Sequence, residues 1–257
     1  MALALGIDIG GTGIKGALVD LDAGELASDR IKLATPEGGE PEGIIASVRQ
    51  LADELAALSG TPLEAVAHIG VCFPAVVLRG RTMSAANVSE RWIGLDADTL
   101  FGEALGRDIH FVNDADAAGY AEAAFGAAQG HRGLVLLTTL GTGIGSALIY
   151  DGVLVPNSEL GHLELDGRDA ETWAANSARE REELSFADWA ARLTRYYSYL
   201  ERLFSPDLFV IGGGVSKQHE EFVPLIDVRT PIVPAALRNN AGIIGAAALA
   251  AQHQRSA

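Results

Sequence analysis

Residues 3–20 read LALGIDIGGTGIKGALVD. Apolar, β-favouring runs flank Gly10-Gly11-Thr12-Gly13, a pattern that spells strand, glycine turn, strand. Gly11, Gly13 and Gly16 satisfy G-x-G-x-x-G in spacing. A dinucleotide fingerprint, however, must open a helix, and here Ala17-Leu18-Val19-Asp20 continues as strand before a turn at Ala23-Gly24. The Walker pattern GxxxxGK[ST] occurs nowhere in the chain. Residues 134–152, LVLLTTLGTGIGSALIYDG, repeat the first stretch at an offset of 130: Gly11-Thr12-Gly13-Ile14 falls on Gly141-Thr142-Gly143-Ile144, and Ala17-Leu18 on Ala147-Leu148. The shared strand context points to a duplicated unit and to two similar lobes.

Helical patterns separate these hairpins. Residues 41–59 place Ile44, Ile45, Val48, Leu51, Leu55 and Leu58 near one face, with Gly60 and Pro62 after the end. Residues 114–129 form an Ala-rich helix after a strand at 109–112. Residues 179–204 make one long amphipathic helix or two, and 208–211 a strand delivering Gly212-Gly213-Gly214. Residues 239–252 make a final small-residue helix. Strands and helices interleave throughout, so the class is α/β.

The chain has 257 residues, 48% apolar and 21% charged, enough for one large domain or two lobes with real cores. Cys72 is the only cysteine, which excludes a disulfide scaffold and a cysteine-based zinc ribbon. No apolar run approaches the roughly 18 to 20 residues of a membrane span. MALALGIDIGG has no basic leader region, so the expectation is a cytoplasmic protein with no membrane partner. Net charge is −15, from 34 acids against 19 bases, which argues against a nucleic-acid partner. It leaves room for a small anionic ligand, because a local nest of backbone N–H groups can oppose the global field. Only Lys15, Lys32 and Lys217 are lysines, and Lys15 lies in the glycine-rich stretch.

Glycine-rich turns with threonine suit phosphate. Glycine admits close approach, while successive N–H groups and a hydroxyl donate to phosphate oxygens. Gly10, Gly11, Thr12, Gly13 and Lys15 are the candidates in the first turn, and Gly141, Thr142 and Gly143 in the second. Asp8 reads equally as a strand-end residue bonded to the turn or as a ligand of Mg2+, direct or through water. Asn113-Asp114 stands at a strand-to-helix junction, where such residues usually cap the helix. The carboxyl ends of strands are also where α/β folds bind ligands. Glu159 and His162 could hydrogen-bond a polyhydroxylated ligand or belong to a solvated loop. His162-x-Glu164 has the H-x-E of a zinc deaminase, but the PCxxC that must accompany it is missing.

The order DIGGTGIK, ND before a helix, TLGTGIG, ELGH and IGGG resembles the ROK sugar kinases of the actin and hexokinase superfamily, over essentially the whole chain. The resemblance implies a two-lobed fold on ribonuclease H-like cores, with lobes at 1–113 plus 242–257 and at 114–241, hinged near 112–114 and 240–242. ROK repressors carry a DNA-binding region ahead of the first motif, and only seven residues precede Asp8, so the likeness is to the kinases. The cysteine cluster of most members is replaced by DGRDAETWAANSA, so no zinc is expected. That departure, with FPAVV and SAANVSERW, is similar to the kinases that use polyphosphate.

The resemblance makes Asp114 the catalytic base. Asn87, Asn113, Glu159, His162 and Glu171 become sugar ligands, and Gly213 and Gly214 the nucleotide-side motif. It implies glucose 6-phosphorylation from polyphosphate, ATP or both, and leaves open whether glucose alone or glucose and mannose are the acceptors. Mg2+ and a homodimer come with it. Arg79, Arg81, Arg91, Lys217 and Arg238 are candidates for a polyphosphate track. Competing readings are an ATP-only kinase for another hexose or N-acetylhexosamine, a non-catalytic sugar sensor, and a filament-forming ATPase.

Overall fold

The structure is a computed structural model describing residues 3–256, with the backbone alone for Arg255 and Ser256. The chain divides into two compact units, the breaks falling after Ala121 and after Asn239.

The first unit opens with β1 (Leu3–Gly10) and β2 (Gly13–Asp20), antiparallel and joined through Gly11-Thr12. The short β3 (Glu25–Leu26) and β4 (Ile31–Ala34) both pair with β2. Helix α1 (Pro41–Ser59) has proline in its first turn, where the missing N–H costs nothing, and ends at Gly60 in the left-handed region (φ 66°). Ile44, Val48, Leu51 and Leu55 are buried on its inner face. Leu58, expected on that face, is 78% exposed beside the C-cap.

Strand β5 (His68–Phe73) follows, then the two-stranded hairpin of β6 (Val77–Leu78) and β7 (Arg81–Thr82). Helix α2 (Ala97–Leu105), β8 (His110–Asn113) and α3 (Asp114–Phe125) come next. The sheet order is β3-β2-β1-β5-β8, with β1, β5 and β8 parallel. Phe73, Trp92, Phe101 and Phe111 meet in one aromatic cluster of this unit's core. The C-terminal helix (Ala241–Ser256) packs on β1 and β5 so closely that a side chain at Gly6 or Gly70 would strike the carbonyls of Ile243 or Ala246.

The second unit repeats the plan. Strand β9 (Leu134–Leu140) and β10 (Ile144–Tyr150) form the second glycine hairpin, and β11 (Val153–Val155) extends it. A small hairpin, β12 (Glu164–Leu165) with β13 (Arg168–Asp169), leads to α4 (Glu171–Ala174) and α5 (Asn176–Arg181). Helix α6 (Phe186–Phe204) starts at Ser185, whose hydroxyl accepts the Asp188 N–H at 3.1 Å. It buries Trp189, Leu193, Tyr196, Tyr197 and Leu200. The amphipathic pattern at 179–204 is therefore two helices. Strand β14 (Leu208–Gly212), α7 (His219–Phe222) and β15 (Ile232–Pro234) complete the unit.

Its sheet order, β11-β10-β9-β14-β15, matches the β3-β2-β1-β5-β8 path of the first sheet, with the glycine hairpin followed by two parallel strands on one side; β4 has no counterpart among the described residues. The six identities in sequence thus coincide with a shared topology. The breaks differ from the expected 113/114 and 241/242. The first turns of α3 belong to the first unit because Gly245 of the C-terminal helix lies directly on the Ala117 carbonyl. Helix α3 also stops at Phe125, short of 129, where the Glu122 carboxylate accepts the Ala127 N–H at 2.7 Å. Among the described residues no helix is long and apolar enough to cross a membrane.

Candidate active site residues in the two units

In the first unit Gly11 and Thr12 are exposed at the hairpin tip, Gly10 is half-buried and Gly13 is buried. Thr35, just past β4, donates its hydroxyl to the Gly10 carbonyl at 2.5 Å and so fastens the tip. Asp8 and Lys15 face each other across the hairpin, and Lys15 Nζ meets Asp8 Oδ2 at 3.0 Å. Asp8 Oδ1 faces Cys72 Sγ at 3.8 Å, and that thiol lies 3.6 Å from the Gly242 carbonyl. Burial, and then the charges of Asp8 and Asp114, push the Cys72 thiol well above its ordinary value. Cys72 therefore stays protonated, with both carboxylates acting on the same buried sulfur.

Asn113 ends β8 and Asp114 begins α3. Asn113 is 7% exposed; its Oδ1 accepts the Asp116 N–H at 2.9 Å and its Nδ2 donates to the Ala75 carbonyl at 3.0 Å. Asn113 makes the N-cap bond of α3. One amide N–H and one lone pair of Asn113 remain for a ligand. Asp114, half-buried, accepts the adjacent Ala115 N–H at 2.8 Å.

Asn87 holds the left-handed conformation (φ 60°), which asparagine tolerates better than most residues. It lies on the glycine turn: a Cβ at Gly11 would come 2.8 Å from Asn87 Cβ and 2.9 Å from its carbonyl. The loop is held by Ser89 N–H on the Gly39 carbonyl at 3.3 Å and by Trp92 Nε1 on the same carbonyl at 2.9 Å.

In the second unit Gly141-Thr142-Gly143 closes on itself through Gly141 N–H to the Gly143 carbonyl at 3.0 Å. Ser177 of α5 braces it, donating its N–H to the Gly141 carbonyl at 3.0 Å and its hydroxyl to that of Thr142 at 2.6 Å. Glu171, first residue of α4, accepts the Ile144 N–H at 3.0 Å, and its carboxylate fills the space a side chain at Gly143 would need. Strand β10 accordingly starts at Ile144, whereas β2 starts at the equivalent Gly13.

Ser146 knots the following loop: its hydroxyl donates to the Ser158 carbonyl at 2.7 Å and accepts the Leu160 N–H at 2.9 Å. This sets Glu159 and the turn Leu160–His162 beside β10. Burial raises the Glu159 carboxyl and the neighbouring His162 opposes it. His162 Nδ1 meets Asp169 Oδ2 at 2.9 Å and Glu171 Oε1 at 3.9 Å. The Asp169 hydrogen bond raises its imidazole above the ordinary histidine value, with Glu171 adding to the effect. Gly213 (φ 85°) turns the chain at the end of β14, where any side chain would strike the Leu140 backbone; Gly214 is open.

The ROK family profile matches residues 4–177. This chain belongs to the ROK family. It is 47% identical over 243 residues to the polyphosphate glucokinase of Mycobacterium tuberculosis strain CDC 1551/Oshkosh, covering 94% of this chain and 89% of that protein. The inorganic polyphosphate/ATP-glucomannokinase of Arthrobacter sp. strain KM superposes with a TM-score of 0.92 at 51% identity, over 98% of this chain and 100% of the other. A ROK glucokinase from Streptomyces griseus, in complex with glucose and AMPPNP, gives a TM-score of 0.82 at 24% identity over 97% and 99% of the two chains, which shows the shared actin/hexokinase-like fold.

Within that ROK frame, the first unit brings together Asp8, Lys15 and the Gly11-Thr12 tip, with Asn87 on the tip; Asn113 ends β8 and Asp114 begins α3. The second brings Glu171 and His162 against the second turn. Two arginines of the expected polyphosphate track are committed elsewhere. Arg81 pairs with Asp96 at 3.0 Å, and Arg91 with Glu40 and Glu42 at 2.9 and 2.6 Å. Arg79, Lys217 and Arg238 are exposed, with no ion pair among the described residues.

Sequence reasoning missed Asp169 and Ser177, whose roles depend on loop closures that no local spacing signals. It also missed Lys32, whose neighbours are set by the β2–β4 register. His162, Asp169 and Glu171 place one nitrogen and two oxygens within 4.8 Å of one another. The nitrogen already serves Asp169, and Cys72, the chain's only cysteine, lies in the first unit.

Proposed function

We propose that this chain is a glucokinase that moves a phosphoryl group from inorganic polyphosphate, ATP or both to the 6-hydroxyl of glucose, with mannose as a further acceptor. The observation that carries the reading is the assignment of roles at the β8–α3 junction. Asn113 makes the N-cap bond, and the half-buried Asp114 carboxylate stands at a strand's carboxyl end, where α/β folds bind ligands, as a base for a bound hydroxyl. The likeness to kinases named for polyphosphate supplies the donor.

A sugar hydroxyl is a poor nucleophile until its proton has an acceptor, and Asp114 takes that proton as the bond to phosphorus forms. The rest of the barrier is alignment and charge neutralisation. Turn N–H groups with Thr12 and Thr142 hold phosphate oxygens, while Glu159, His162, Glu171, Asn113 and Asn87 orient the ring. Asp8 is a hard oxygen donor of the kind that holds Mg2+ through its water shell, and the ion when bound neutralises phosphate charge. Gly213 and Gly214 flank the nucleoside when ATP is the donor. The same reading carries a cytoplasmic, glycolytic homodimer without zinc; sedimentation tests the dimer.

Initial rates across glucose, mannose and N-acetylhexosamines, each with polyphosphate and with ATP, test the proposal. Glucose with polyphosphate should give glucose 6-phosphate. Turnover with ATP alone would remove the polyphosphate half, and no phosphorylated sugar under any condition would leave a sensor.

A further inference from the structure

Two lysines on the strands that carry the first glycine turn and its neighbour differ in what they are free to do. Lys15, the lysine singled out by the sequence, is engaged by Asp8 at 3.0 Å. Lys32 on β4 is paired in register with Lys15 on β2, and directly opposed residues of an antiparallel pair share a face. Asp8, Lys15 and Lys32 therefore form a row across three strands, in which the first two cancel and the third does not.

The stem of Lys32 lies over the turn. A Cβ at Gly13 would sit 3.0 Å from Lys32 Cε and 3.9 Å from its Cγ. Lys32 is exposed overall, and among the described residues it has no ion pair or hydrogen-bond partner. Glycine at position 13 thus leaves room for an aliphatic stem that carries an ammonium to the turn, in a chain of net charge −15.

We propose that Lys32 is a donor-binding residue whose ammonium takes a non-transferred phosphate of a condensed phosphate chain. An ammonium is a compact point charge with three rotatable donors, suited to phosphate oxygens in any orientation and indifferent to base or ribose. The polyphosphate chain, which offers phosphates and nothing else, depends on it more than ATP does. The inference rests on the kinase reading above.

The test is Lys32→Met, which keeps the stem over Gly13 and removes the charge, compared with wild type and with Lys32→Arg. Binding of tripolyphosphate is measured by calorimetry at several salt concentrations, and KM for polyphosphate, ATP and glucose by initial rates. A charge-assisted contact predicts roughly a tenfold loss of tripolyphosphate affinity and a like rise in polyphosphate KM. The ATP effect should be smaller, glucose KM unchanged, and Lys32→Arg should recover part of the loss. The salt dependence of binding should fall by about one phosphate contact.

Unchanged tripolyphosphate affinity and salt slope in Lys32→Met would overturn the inference. So would an equal rise in the KM of glucose and of polyphosphate, which marks a residue that merely shapes the turn. Wild-type protein that binds tripolyphosphate yet phosphorylates nothing would refute the kinase reading instead, and the binding comparison would still decide the role of Lys32.

Discussion

Asn113→Ala separates the structural duty of this residue from any contact with sugar. Asn113 is buried, accepts the Asp116 N–H at 2.9 Å and donates to the Ala75 carbonyl at 3.0 Å. Losing an N-cap of this type costs about 1 kcal/mol. Leaving a buried carbonyl without its donor costs about another 1–2 kcal/mol. The sum is about 2–3 kcal/mol, a large share of the stability of an ordinary domain. Asn113→Ser supplies the divergence: serine caps well but is too short for Ala75, so about 1 kcal/mol should return. Urea unfolding followed by circular dichroism, without ligand, reads both variants. The order should be wild type, then serine, then alanine. Equal stability of the two variants, or alanine within about 0.5 kcal/mol of wild type, which is the range of an ordinary surface change, would refute the reasoning.

Glu122 accepts the N–H groups of Ala127, Ala236 and Leu237 at 2.7, 3.0 and 2.8 Å while 1% exposed, so Glu122→Ala strands three donors and should cost roughly 3–5 kcal/mol. Glu122→Gln, with one acceptor oxygen, should fall between alanine and wild type in the same urea assay. For His162 the Asp169 hydrogen bond raises the folded-state value above the unfolded one, so its stabilisation is complete below the ordinary pH of about 6.5 and is lost as pH rises through the raised value. In Asp169→Asn the His162 titration followed by NMR should move down toward the ordinary value; an unmoved midpoint would discount the pair.

Much of the fold could be read from the chain because its signals are local. Strand-turn-strand patterns at residues 3–20 and 134–152 became hairpins, and the helix at 41–59 was bounded by Pro41 and Gly60. Asn113-Asp114 could be placed at a strand-to-helix junction, but the N-cap could not be assigned to Asn113, because the orientation of that side chain depends on Ala75, distant in sequence. The partner of His162 was invisible for the same reason: Asp169 reaches it only through the β12–β13 hairpin. Lys15 drew the eye as the lysine of the glycine stretch. The β2–β4 register and the Asp8 pair, neither encoded in local spacing, transferred the unpaired charge to Lys32. The break inside α3 likewise reflects the packing of Ala117 against Gly245.

Replacing the Asp114 carboxylate by an amide of nearly the same shape tests the account at its centre. With Asp114→Asn, glucose binding by calorimetry should stay within a few-fold of wild type, while kcat for glucose 6-phosphate formation falls by roughly a thousandfold, as loss of a general base requires. A variant that turns over glucose at the wild-type rate would contradict it.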